Sequence, residues 1–286
     1  MKILCLFIRH GAEKYPEALA VLDQWYERHG LLNQRILWII DNALPADQPP
    51  KLLAPQVILR PGDNQAWEFS AWARALRNAR DERIEYDVVH FVTSAFNTLY
   101  TAYLGHFCAE MLPYVSTHNV YLGHIDSYDQ PVELAGSSSR FWIRTCFFFL
   151  PAGVASRIAT WAAFTDPEDI FASPESTEFR PDAQLSPDYQ RRVRIWLEGQ
   201  DVGGHTWHSP IGSGPGEVGR FQKKTLAILN EHHFSITLRM QSVPLVDFCW
   251  LWSQRHEIGF RQITAPAEIA QLAIRRRILG MPVSPV

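Results

Sequence analysis

Polar residues gather in this chain where apolar runs stop. Arg60 closes one such run, and Asp63, Asn64 and Glu68 follow within eight residues. Thr93, Ser94 and Asn97 close a second, and Asp41 directly follows a third. A strand-end acid can accept hydrogen bonds from a base or ribose. An Asp-Asn pair also suits a turn, and Asp63-Asn64 suits a helix cap, so each residue has a structural role beside the chemical one. Asp126 and Asp129 follow a further apolar run. With Glu217 as a third candidate, they are carboxylates of the kind a general base needs.

The elements that must position these groups read as alternating strands and helices. Residues 56–60 form a strand, 61–66 a Gly-containing turn, 67–80 a helix and 86–92 a second strand. Two short apolar strands joined through a helix predict a βαβ unit in a parallel sheet. Before it come a strand at 3–8, a helix at 16–29, a strand at 35–40 and a Pro-rich loop at 43–55. After it, helix is expected at 98–112, stopping before Pro113, then strand at 119–125. A loop is expected at 137–139, a central strand at 141–150 and helix at 153–164. Residues 165–186, rich in Pro, Glu, Asp and Ser, read as a surface excursion. A helix at 187–197, a Gly-rich loop at 203–216, a helix at 217–230, a strand at 235–240 and a basic helix at 267–279 complete the pattern.

The totals set bounds. The chain has 286 residues, 47% hydrophobic and 20% charged, enough for a sizeable core and incompatible with a disordered chain. A net charge of −3 gives no global attraction to nucleic acid. Cys5, Cys108, Cys146 and Cys249 lie scattered in apolar runs without metal spacing, as reduced thiols of a cytosolic protein would. The apolar run at 3–8 is too short for a signal peptide, and no segment has transmembrane length without charges.

Several chemistries lose support here. There is no Gly-x-Gly-x-x-Gly, Walker, Gly-x-Ser-x-Gly or His-Glu-x-x-His motif. His205 and His208 lack further ligands at metal spacing, and the adjacent His232 and His233 would point apart; loop or surface roles are expected for them. Arg275, Arg276 and Arg277 form either a solvated helix face or a patch for anionic lipid headgroups.

The ordered segments resemble one family, the bacterial surface-polysaccharide glycosyltransferases of GT-A-like fold, including the rhamnan-synthesis type. Asn64-Gln-Ala-Trp-Glu68-Phe69-Ser-Ala-Trp72 is similar to their Asn-x-Gly-x-Asp/Glu-Phe-x-x-Trp pattern, with Ala66 in place of the Gly. The run at 92–98 keeps the Ser and the aromatic of Asn-Asp-Ser-x-Phe/Tyr-Gly-Pro, but Thr93 stands where the family has its metal-binding aspartate. Residues 142–147 and the Glu217-Val-Gly219 helix start resemble two later family segments. The likeness spans residues 1–240.

The resemblance implies a single α/β domain over 1–286, of GT-A-like three-layer α/β/α type with a mostly parallel central sheet. It implies transfer of a sugar from a nucleotide-sugar to a glycan or lipid-linked acceptor in surface polysaccharide synthesis. Arg9, Asp41 and Asn64 would line the nucleotide pocket, and Glu68, Ser94 and Arg144 the sugar and diphosphate side. The protein would be cytoplasmic, with peripheral contact to anionic membrane through the basic helix. No cofactor is required on this reading, and the nucleotide-sugar is a substrate. Divalent metal is left open by the loss of the acid at Thr93. The alternative is a non-catalytic nucleotide- or glycan-binding scaffold of a polysaccharide assembly complex.

Overall fold

The structure is a computed structural model that describes residues 1–98, 104–200, 208–212, 214–255, 260 and 263–280. Its elements run β1 (Ile3–Arg9), α1 (Ala18–Arg28), β2 (Arg35–Asp41), β3 (Lys51–Ala54), β4 (Val57–Pro61), α2 (Trp67–Asp81), β5 (Val88–Thr93), α3 (Met111–His118), β6 (Tyr121–Gly123), β7 (Ile125–Leu134), β8 (Ser137–Ile143), β9 (Phe147–Pro151), α4 (Ala152–Arg157), α5 (Pro187–Leu197), α6 (Val218–Met240), β10 (Leu245–Asp247), α7 (Phe248–Ser253) and α8 (Glu268–Ile278). They fall into two compact units. The first holds Met1–Ile125, Ile143–Trp161 and Leu238–Val286; the second holds Asp126–Trp142 and Ala162–Thr237.

The first unit is built on an eight-stranded sheet ordered β10-β6-β9-β5-β1-β2-β4-β3. β4, β2, β1 and β5 run parallel, as do β10 and β6, whereas β9 and the edge strand β3 run antiparallel to their neighbours. This is the expected mostly parallel α/β sheet between helices. The alternation of side chains explains why both faces are covered. Ile3, Cys5 and Phe7 of β1 and Phe147 and Phe149 of β9 pack in one cluster with Trp25 of α1, Met111 of α3 and Phe248 of α7. On the opposite face Phe91 and Phe148 stack at 4.6 Å, and both lie edge-on to Trp72 of α2 at 5.3 and 5.5 Å.

The βαβ unit stands as read, with α2 joining β4 to β5. Elsewhere the structure redraws the boundaries. Pro113 does not stop a helix. It occupies the first turn of α3, where a missing N–H costs no intrahelical bond, and Asn119 ends that helix in the left-handed region at φ 53°. Residues 99–103 of the helix expected at 98–112 lie outside the described residues. Residues 137–139 are not a loop but the start of β8. The hairpin turns instead at Ala135-Gly136, both at positive φ, as a tight turn between twisted strands needs. The strand expected at 141–150 breaks at residues 144–146, and helix α4 stops at Arg157. Residues 235–240 are the last turns of α6 rather than a strand. The expected Pro-rich loop at 43–55 contains β3.

The second unit has its own core. Leu134, Ile170, Phe171, Tyr189, Val193, Phe221 and Leu229 are buried together. Residues 165–186 therefore contribute buried side chains, Ile170 and Phe171, as well as exposed ones. Much of the Gly-rich loop at 203–216 lies outside the described residues, His205 included. His208 is exposed, but His232 is buried, against the surface role expected of it.

The basic helix also departs from expectation. In α8, Arg275 is buried, its Nη1 donating to Asp247 Oδ2 at 2.8 Å and to the Ile125 carbonyl. Gln271, one turn earlier, accepts from Asp247 N and donates to the carbonyls of Leu245 and Pro266. Arg275 is thus a strut of the first unit and is not available to lipid, whereas Arg276 is half-buried and Arg277 exposed. Among the described residues no helix is long and apolar enough to cross a membrane. The four cysteines are free, Cys5 and Cys249 fully buried.

His90 in the middle of β5 is wholly buried. It stacks on Phe149 at 4.0 Å, and its Nδ1 pairs with the Tyr26 hydroxyl at 2.8 Å. Burial, helped by the charge of Arg35, pushes its pKa well below the usual histidine value. The unfolded chain takes a proton near pH 6.5 that the folded chain refuses. Stability is therefore unaffected above about pH 7 and falls below pH 6.5 by about 1.4 kcal/mol per pH unit for this group. Denaturant midpoints measured from pH 7.5 down to 5 should show that decline. The double replacement of His90 and Tyr26 by Phe should flatten it by one proton's worth, and an unchanged slope would show that His90 is not its source.

Candidate functional site

The parallel strands end on one row. Arg9 of β1 is in register with Asp41 of β2, Asp41 with Pro61 of β4, and Ile8 with Thr93 of β5. Backbone bonds continue this row past the strand ends: Asn42 N to Arg9 O at 2.8 Å, Gly62 N to Asp41 O at 2.9 Å and Ser94 N to Ile8 O at 2.8 Å. Such an edge is where an open α/β sheet presents groups to ligands.

Asp41 is the centre of the row. Its Oδ2 accepts from Arg9 Nε at 2.7 Å, and its Oδ1 accepts from Gly11 N at 2.8 Å and Ala43 N at 3.0 Å. Burial raises the carboxyl's pKa. The two N–H groups and the guanidinium outweigh it and hold the group below the usual carboxylate range. Gly11 reaches the carboxylate at φ +72°, a conformation that favours glycine. Asp41 is thus a buried, three-fold bonded hub.

Arg9 is bound to Asp41 through Nε alone. Its terminal Nη groups have no hydrogen-bond partner among the described residues, and its side chain remains about one-fifth exposed. The Thr93 and Ser94 hydroxyls are likewise without a partner among the described residues, and both residues are half-buried. His10 and Lys14, exposed in the same loop, add basic groups. A guanidinium fixed at one nitrogen and open at the other two is arranged for bidentate contact with a phosphate or carboxylate.

The turn between β4 and α2 is shaped by Asn42. The Asn42 amide donates weakly to Asn64 Oδ1 at 3.4 Å and to the Trp67 carbonyl at 3.3 Å. Gly62 passes so close that a Cβ there would lie 1.7 Å from Asn42 Oδ1. Asn64 is exposed and, like Trp67, takes a positive φ, at 52° and 55°. Asp63 is a local brace: it accepts from Gln65 N at 3.2 Å and from the Ser70 hydroxyl at 2.5 Å. The helix cap itself falls at Ala66, with no side-chain bond.

Glu68, in the first turn of α2, accepts from the Thr145 hydroxyl at 3.1 Å. The Thr93 N–H donates to Cys146 O at 3.0 Å, which sets residues 144–146 beside the end of β5. The Arg144 backbone is pinned on both sides, its N–H donating to His124 O at 2.9 Å and its carbonyl accepting from Tyr121 OH at 3.0 Å. Arg9, Asp41, Asn64, Glu68, Ser94 and Arg144 therefore all belong to the first unit, at the carboxyl ends of its parallel strands or beside them. Arg60 does not join them. It is buried over the Trp38 ring at 3.7 Å and makes a two-pronged bond to Glu82.

The expected acids, Asp126, Asp129 and Glu217, lie in the second unit. Asp129 bonds Arg192 at 2.6 Å, and that hydrogen bond and charge lower its pKa, which makes it a weak base. Glu217 pairs with Arg220 at 3.1 Å. Among the described residues no group of three or more His, Cys, Asp or Glu is placed to hold a metal ion. The contributions of Asn42, Gly11 and Thr145 were not singled out from sequence. Asn42, directly after β2, and Gly11, two positions past β1, carry the local signals.

The Asp41 hub sets an energetic expectation. Asp41→Ala should lower folding stability by about 2–3 kcal/mol, because it strands Arg9 Nε and two loop N–H groups. Urea titration of the variant checks this, and Arg9→Met should cost less, since Asp41 keeps both backbone donors. Wild-type stability in Asp41→Ala would show that the hub contributes nothing.

No family model matches the chain, and no curated protein matches it. Among solved structures, a crystal structure of 4-diphosphocytidyl-2C-methyl-D-erythritol synthase aligns with 56% of this chain and 80% of its own, at 14% identity and a TM-score of 0.35.

Proposed function

We propose that the first unit binds a nucleotide through the Arg9 guanidinium, and that the chain transfers a sugar from a nucleotide-sugar to a glycan or lipid-linked acceptor. The setting proposed is bacterial surface polysaccharide synthesis, as in O-antigen, capsule or exopolysaccharide. The observation that supports this reading most directly is the open Nη pair of Arg9, held by Asp41 in a strand-end row to which Thr93 and Ser94 also belong. Phosphate oxygens are the natural partners of such a fork.

On this reading Asp41 does not touch the ligand. It fixes the angle of Arg9, and the exposed Asn64 meets the nucleotide. Ser94 donates to the diphosphate, Arg144 offsets the charge that develops as the diphosphate leaves, and Glu68 meets the sugar. The acceptor hydroxyl needs a base. The candidate bases Asp126, Asp129 and Glu217 belong to the second unit, and Asp129 and Glu217 are paired with arginines. Divalent metal is not required, because Arg9 and Arg144 supply cationic charge where Thr93 replaces an acid.

Calorimetry with UDP, GDP and dTDP tests the binding step. At least one should bind the intact protein, and Arg9→Met should weaken it about 10- to 100-fold, the equivalent of about 1.5–3 kcal/mol for a lost charged hydrogen bond. No binding of any nucleotide or nucleotide-sugar would sink the reading and favour the glycan-binding scaffold. That rival draws support from the arginine pairing of Asp129 and Glu217.

Sugar transfer should persist in EDTA, and Arg144→Ala should slow it far more than chelation does. Activity abolished by EDTA and restored by magnesium or manganese would overturn the metal-free part of the proposal.

A further inference from the structure

The second unit contains a polar cluster that its apolar core does not need. His232 on α6 is more than nine-tenths buried. Its Nδ1 is hydrogen-bonded to the Tyr189 hydroxyl of α5, and its other ring nitrogen has no partner among the described residues. Trp142 of β8 lies 4.6 Å from the imidazole and Tyr128 of β7 lies 4.4 Å from Trp142, centroid to centroid. These rings, with Val132 and Ser137, line a cavity of about 10 Å³. That is room for one water-sized group. The Tyr128 and Ser137 hydroxyls also lack hydrogen-bond partners among the described residues.

The chemistry of the lining selects its occupant. Burial holds His232 neutral, with a pKa pushed down to about 3. Of the cations beside Tyr128, Arg192 is bonded to Asp129 and Arg140 Nε donates to the Tyr128 carbonyl, and neither lines the cavity. An anion would therefore meet no free charge. A neutral imidazole leaves one nitrogen that is a donor in one tautomer and an acceptor in the other. A hydroxyl group satisfies either, and can bond Tyr128 or Ser137 as well. Flat aromatic walls beside such donors and acceptors suit a ring with one apolar face and a polar edge.

We infer that this cavity is a binding subsite for a neutral hexopyranoside, whose hydroxymethyl group enters between His232 and Ser137 while the ring rests against Trp142. The hydroxymethyl is the substituent that stands clear of a pyranose ring, and its oxygen is the size the cavity admits. The subsite belongs to the second unit alone and does not depend on the nucleotide site.

Saturation-transfer NMR on the intact protein with methyl β-D-glucopyranoside tests this. Saturation should reach the glucoside, and the His232 ring resonances should shift with its concentration. The 6-deoxy analogue should bind at least 10-fold more weakly. Trp142→Ala should abolish the transfer, and Arg9→Met should leave it unchanged, which separates this result from any outcome of the nucleotide titrations. No saturation transfer in the wild type, no His232 shift, or equal binding of the 6-deoxy compound would overturn the inference and leave the cavity as a structural water site. The last two readouts use the wild-type chain, so they stand even if Trp142→Ala fails to fold.

Discussion

Both faces of the parallel sheet are covered, and this decides where polar chemistry can occur in the first unit. A strand buried on two sides tolerates few charged groups along its length, because an unpaired buried charge is costly. β1 runs from Ile3 to Ile8 without a polar side chain, and β2 from Ile36 to Ile40. Charge appears at the next position of each, Arg9 and Asp41, in register with one another. The pair is therefore a consequence of the sheet as much as a decoration of it. Its bonds to Gly11 and Ala43 then shape the loops that follow both strands. His90 is the exception that confirms the constraint: it stays in mid-strand only as a neutral ring paired with Tyr26.

The same constraint made this part of the molecule legible in sequence. Continuous apolar runs of strand length, each closed by a polar residue, mark β1, β2, β4 and β5, and the helix between the last two follows from its spacing. Asp41, Asn64 and Ser94 were readable for that reason, and Arg9 through the family resemblance. Their bonding was not. Nothing local distinguishes Asp41, which is saturated by three donors, from Asn64, which is exposed, because the difference comes from register across strands distant in sequence. Arg60 shows the same limit. It closes an apolar run like Arg9, yet it turns to Trp38 and Glu82.

Beyond residue 98 the local signals were weaker or ambiguous. A proline reads as a helix stop, but at Pro113 it sits in a first turn, where the fold asks nothing of its nitrogen. Residues 235–240 are apolar and β-branched enough to read as a strand. They continue α6 because Ile236 and Leu238 stay buried along that helix. His232 and His233 were expected in loop or surface roles because, adjacent on a helix, they would point apart and not share a metal. On a helix the two point apart, and one of them reaches the core while its neighbour does not. Tertiary burial, which no short window contains, decided each case.

The arginines separate structure from chemistry most clearly. A guanidinium carries five N–H donors, so the useful question is how many of them the protein itself consumes. Arg60 gives both terminal nitrogens to Glu82 and lays its plane on Trp38. Arg275 is buried on Asp247 and the Ile125 carbonyl, which ties α8 to the end of β10 and to Ile125 and removes it from the basic face its neighbours form. Arg192 is committed to Asp129. Arg9 is different. One nitrogen is spent on orientation and two are left, at the edge where a parallel sheet opens. A carboxylate that takes only Nε converts a mobile side chain into a fixed fork without neutralising its hydrogen-bonding capacity. That division of labour between Asp41 and Arg9 leaves open donors in the strand-end row rather than a closed ion pair.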